Sequence, residues 1–123
     1  MQKHVLHEDE CKCAQLDGRS YKHIVGSERL PCAGVNGGVS FFGPRAHAPS
    51  HVHQREEEVV YCVQGEGEIV LDGQPEAIRP GSFVVIPRGV LHSINNTGDR
   101  EIKLVFLFSP PCDIGNYPNV PSH

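Results

Sequence analysis

His51-Val52-His53-Gln54-Arg55-Glu56-Glu57-Glu58 and, further on, Pro87-Arg88-Gly89-Val90-Leu91-His92 are the two runs whose reading decides the fold. On an extended strand successive side chains alternate between faces, so His51 and His53 leave the same face and can reach one metal ion together. Glu58 stands an odd number of residues after His53, which on one regular strand puts the two on opposite faces. The polar run 54–57 must therefore bend the chain if Glu58 is to come back beside the histidines. Three imidazoles and one carboxylate suit one divalent transition metal such as Fe, Mn, Ni, Co or Zn, and leave positions open for water or substrate.

Working outward, residues 51–65 read HxH, four residues, Glu58, six residues, Gly65. Residues 81–96 read Gly81, five residues, Pro87, one residue, Gly89, two residues, His92, three residues, Asn96. These strings resemble the paired motifs of the cupin superfamily, and the second fits at every position. In the first, the glycine that the family places ahead of HxH falls on Arg45, while Gly43 comes two residues early. The resemblance spans residues 43–108 and implies a small antiparallel β-barrel of jelly-roll type with a metal in its mouth. It carries the ligand role to His51, His53, Glu58 and His92. It leaves the reaction open, since one fold hosts many chemistries.

Composition agrees with one all-β domain. The chain has 123 residues, enough for a single core, and its thirteen glycines and ten prolines favour short strands and tight turns over a helical bundle. A formal charge of −4 with no Lys/Arg cluster argues against nucleic acid as partner. No apolar run approaches membrane-spanning length, and the first ten residues are polar and acidic, unlike a signal peptide. A cytoplasmic protein with no membrane partner is the expectation. Five cysteines cannot all pair internally, and free thiols in a reducing compartment fit that expectation.

In chain order, residues 1–20 read as an arm without periodicity, 21–108 as the barrel domain, and 109–123 as a proline-rich tail. Strands are expected at 21–25, 35–42, 59–63, 68–71, 75–78, 83–86 and 102–108. Asp72-Gly73 is a hairpin signal, because a type I′ turn needs positive φ at both central residues. If Glu58 faces the barrel, alternation sends Val60 and Cys62 inward and Val59, Tyr61 and Val63 outward. The last strand is apolar on both faces. Ile102, Leu104, Phe106 and Phe108 line the interior, and Val105 and Leu107 are left to pack on a second subunit of a homodimer.

The remaining histidines, His4, His7, His23, His47 and His123, read as surface or hydrogen-bonded residues. His47 is set apart by its place near the ligand loop, and with Arg45 and Tyr61 it is a candidate for substrate contact or proton transfer. His4, His7, Cys11 and Cys13 form a short cluster that suggests a second metal site, though the spacing matches no closed zinc pattern. For the main site three functions compete. The first is a dioxygenase-like oxidoreductase acting on a small molecule. The second is a non-redox isomerase or lyase in which the metal polarises a carbonyl of a sugar or small acid. The third is a binding module for such a ligand. The apolar inward positions, with few evident bases, lean toward oxygen chemistry.

Overall fold

Alternating burial sorts the chain into two antiparallel sheets. The computed structural model describes residues 4–115 and contains, in chain order, β1 (Ala14–Leu16), β2 (Arg19–Val25), β3 (Asn36–Phe42), β4 (Glu57–Gln64), β5 (Gly67–Leu71), β6 (Gln74–Ile78), β7 (Phe83–Ile86), β8 (His92–Asn95) and β9 (Ile102–Ser109). A six-stranded sheet runs β1-β2-β3-β9-β4-β7, and a three-stranded sheet runs β6-β5-β8. The jelly-roll expectation holds, with the barrel built as two facing sheets rather than one closed ladder. Among the described residues no helix is long and apolar enough to cross a membrane.

Local chemistry explains the turns. Asp72 and Gly73 take φ of 48° and 81° and join β5 to β6, as the hairpin signal requires. Pro75 lies in β6, an edge strand, where its missing N–H leaves no inner ladder bond unmade. In β3 the backbone approaches both neighbours so closely that a Cβ on Gly37 would overlap the Phe106 carbonyl and one on Gly38 the Lys22 carbonyl. The glycines there permit the six-stranded sheet to close tightly.

The core lies between the sheets. Along β9 the buried residues are Ile102, Leu104, Phe106 and Phe108, and along β4 they are Glu58, Val60 and Cys62, each separated by an outward neighbour. Ile69, Ile78 and Ile94 from the three-stranded sheet and its edges and Ile86 from β7, beside β4, complete the cluster. Register in both central strands is thus set by the period of two, because a one-residue slip would send the whole set to solvent.

The segment before residue 21, an arm without periodicity in sequence, carries local structure. It holds a 3-10 turn at Glu8–Glu10, all of β1, and the start of β2. A three-residue strand is too short to display a period. It forms because Gly18, at φ 76°, closes a hairpin that lays Ala14–Leu16 along β2. At the other end, residues 110–115 fold back against the core through Cys112 and Ile114. The rest of the proline-rich tail, including His123, lies outside the described residues.

Candidate metal centre

His51 and His53 do not sit on a regular strand as the sequence suggests, yet their rings still converge. His51 forms one isolated bridge to His92, with His51 N–H donating to the His92 carbonyl at 2.9 Å and His92 N–H to the His51 carbonyl at 3.0 Å. The His53 carbonyl accepts from Gly89 N–H at 2.9 Å, and Gly89 takes φ 77° in the turn before His92. The two motif runs are therefore cross-linked backbone to backbone. A bend at Gln54-Arg55 then returns Glu58 to the same interior, as the odd spacing demands.

The three rings have centroids 4.2 Å (His51–His92), 4.9 Å (His51–His53) and 5.1 Å (His53–His92) apart, and one ligand nitrogen from each lies within 4.8 Å of the others. Glu58 Oε1 is 3.4 Å from His92 Nε2 and 3.6 Å from His53 Nε2. Both Glu58 Oε1 and His92 Nε2 are buried without a hydrogen-bond partner. Such groups are costly to leave unmet, and a cation between them would satisfy both. Three nitrogens and one carboxylate oxygen fit a divalent transition metal by donor type.

Electrostatics prepare the rings for that role. Burial, aided by repulsion from His92 and then His53, pulls the His51 imidazole down to about 3. His53 falls to about 4 through burial, then His92, then Arg19. Both are neutral at neutral pH and give up no proton on binding a metal. His51 Nδ1 lies 3.3 Å from the Pro49 carbonyl and His92 Nδ1 2.9 Å from the Val90 carbonyl. A carbonyl only accepts, so each of these rings carries its proton on Nδ1 and presents a lone pair at Nε2. Burial, with Glu56, Glu58 and Asp113 adding, pushes the Cys112 thiol up to about 12.

A small cavity, open to solvent, lies over the site and is lined in part by His51, Glu58 and His92. Its walls are mostly apolar, including Phe42, Val60, Phe106 and Phe108, and its polar contributors besides the ligands are Arg19, Tyr21 and Ser40. Sequence reading passed over these three. Arg19 and Tyr21 share a face of β2, and Ser40 shares a face of β3 with Phe42, so the period of two was a usable signal once β2 was known to begin at Arg19.

Arg45, His47 and Tyr61 do not line this cavity. Tyr61 leaves β4 on the outer face, where its ring lies 4.6 Å from that of Phe83. His47 is exposed, and its backbone bridges Asn95. Arg45 is exposed at φ 61°, its N–H donating to the Gly98 carbonyl at 3.1 Å. The chain thus keeps the glycine-type conformation at the motif position with an arginine in place, at a cost of roughly 1–2 kcal/mol. Among the described residues the suggested second metal cluster is not formed: His7 caps the 3-10 turn through Asp9 N–H, and His4, Cys11 and Cys13 do not converge with it.

The family model for the cupin domain matches residues 38–108. Protein SchB of Streptomyces halstedii is 40% identical over 73 residues, covering 59% of this chain and 53% of SchB. Polyketide synthase CurC of Streptomyces cyaneus is 36% identical over 73 residues, covering 59% and 47%. The chain spans about half the length of these two curated relatives. L-ectoine synthase of Aliivibrio fischeri (strain MJ11) is 30% identical over 107 residues, covering 84% of this chain and 82% of the synthase. Among solved structures, ectoine synthase from P. lautus superposes with TM-score 0.77 at 18% identity, covering 97% and 91% of the two chains. A predicted oxalate decarboxylase from Thermotoga maritima gives TM-score 0.77 at 20% identity, covering 86% and 98%. At these identities the superpositions speak for the fold alone.

Proposed function

The chain belongs to the cupin domain family, and on that premise we propose that it is a metal-dependent enzyme acting on a small organic acid by a non-redox proton-transfer reaction. The observation that carries this reading is Arg19, which lines the same cavity as His51, Glu58 and His92. His51, His53, Glu58 and His92 would hold a divalent ion, which would supply Lewis-acid chemistry toward a substrate oxygen. The Arg19 guanidinium, whose Nη1 donates to the Asp17 carbonyl at 3.0 Å, brings a positive charge to the cavity that would attract and orient the carboxylate of the acid. Tyr21 stands beside it with a hydroxyl that can hold or release a proton at Oη, and its ring packs on the core. Phe106, Phe108 and Val60 add apolar lining to the same cavity, which strengthens each polar contact to substrate. The names of several relatives and neighbours, L-ectoine synthase and a predicted oxalate decarboxylase among them, agree with small-molecule chemistry.

The apolar wall favours a second reading, a dioxygenase-like oxidoreductase. One experiment separates the two. Metal-loaded protein is incubated with a panel of small carboxylic acids in air and under argon, and products are followed by NMR. Turnover that is equal in both atmospheres and lost in Arg19→Gln supports the proton-transfer reading. Turnover confined to air makes the enzyme an oxygenase, and binding without turnover makes the chain a ligand-binding module.

For its assembly we infer a twofold dimer through the outer face of the six-stranded sheet. Val59 pairs with Val85 and Tyr61 with Phe83 across β4 and β7, and Leu107 and Val105 continue the row on β9. Phe83 is 75% exposed and Val85 57%. An apolar row of that length on a sheet face calls for a partner, and a second copy brings a self-complementary one.

A further inference from the structure

Two of the three histidine ligands are oriented by backbone carbonyls close by in sequence, Pro49 for His51 and Val90 for His92. His53 differs. Its Nδ1 faces the sulfur of Cys112 at 3.9 Å, a residue that arrives from beyond the last strand. Cys112 is brought there by Asn36 of β3, which is 5% exposed. Asn36 Nδ2 donates to the Cys112 carbonyl at 2.6 Å, and Asn36 Oδ1 accepts from Cys112 N–H at 2.9 Å. One buried amide thus reads both backbone groups of a single residue, and fixes where its side chain points.

We propose that Cys112 is a positioning residue for the metal ligand His53, latched by Asn36, so that the strap after β9 is part of the metal centre. This rests on His51, His53, Glu58 and His92 being the ligands. When Nε2 of His53 donates to a metal, Nδ1 keeps its proton, and the sulfur of Cys112 accepts it as the carbonyls do for the other two rings. Phe108 meets the same ring edge-on at 4.7 Å and restrains its tilt, but an apolar ring provides no acceptor. The thiol therefore contributes to ligand orientation and basicity. Through the Asn36 latch, a change in β3 that touches no ligand reaches the metal.

Cobalt(II) tests this, because its visible bands report the ligand field independently of turnover. Affinity is measured by chelator competition for wild type, Cys112→Val, Cys112→Ser, Asn36→Ala and the Cys112→Val/Asn36→Ala pair. Melting of each metal-free protein shows whether the fold is kept. Valine fills the space of the thiol without an acceptor, and should weaken cobalt binding about tenfold and shift its bands. Serine keeps an acceptor and should recover part of the loss. Asn36→Ala should weaken binding on its own and add little to Cys112→Val, since both act through one contact. Should Asn36→Ala fail to fold, the valine and serine pair decides alone.

Wild-type affinity and spectrum in Cys112→Val would reduce Cys112 to packing and overturn the proposal while leaving the ligand set intact. Failure of the wild-type protein to bind cobalt would overturn the ligand set and this inference together. His53, Glu56 and Cys112 also offer ligand atoms within 4.8 Å of one another. A second equivalent of cobalt, with an intense thiolate charge-transfer band absent from Cys112→Val, would show a second cation site and overturn the positioning role.

Discussion

Oε1 of Glu58 lies 3.4 Å from Nε2 of His92, and both atoms are buried with no hydrogen bond to either. Because the Val90 carbonyl holds the His92 proton on Nδ1, Nε2 presents a lone pair toward the carboxylate. Two acceptors facing each other at that distance repel. A cation between them turns the arrangement from unfavourable to favourable.

Removing the carboxylate tests this directly. Glu58→Gln deletes the one anionic ligand and should lower affinity for a divalent metal by more than tenfold, read by chelator competition. Glu57→Gln changes an exposed side chain one residue away and should bind as wild type. Equal affinities in the two variants would place the metal elsewhere.

Metal binding should stabilise the native fold, because the ligands come together only in the folded chain. At a hundredfold excess over Kd the gain is about 3 kcal/mol, which for a domain of this size is a shift of several degrees. Differential scanning calorimetry of metal-loaded and chelated protein should give separate melting temperatures, and coincident curves would contradict the site.

Acid should destabilise the metal-free protein. His51 and His53 are pulled from 6.5 to about 3 and about 4 in the fold, mainly by burial. The unfolded chain therefore binds more protons than the native one below pH 6.5, and stability falls as pH drops from 6.5 toward those folded values. Melting temperatures of chelated protein across that window should decline, and His53→Gln should flatten the decline. A level wild-type profile would mean that the rings are not buried as described.

Charge on the outer sheet face should separate the inferred dimer. Phe83→Glu places a carboxylate in the exposed apolar row and, at a twofold interface, brings two like charges together. Sedimentation equilibrium should find dimer for wild type and monomer for Phe83→Glu, with the fold kept because Phe83 lies outside the core. A monomeric wild type would leave that face without the proposed partner.

The sequence by itself determined what depends on neighbours along the chain. Inward and outward positions in β4 and β9 follow from a period of two, because one strand face must be dry and the other not. The β5–β6 hairpin follows from Asp72-Gly73, because few residues accept positive φ. The convergence of His51 and His53 was legible for the same reason, although they proved to be held by bridges to the second motif run and not by a strand of their own.

Only the tertiary structure decided what surrounds the candidate metal centre. Arg19 and Tyr21 come from a segment whose first strand is too short to announce itself, and they reach the cavity because β2 pairs with β3. Cys112 reaches His53 through an amide far away in sequence. Tyr61, one residue from the buried Val60, is turned outward by the same alternation that places Glu58 inside, and Arg45 and His47 remain at the surface. Local periodicity says which face a residue takes. It does not say which distant segment that face will meet, because that choice is made by packing.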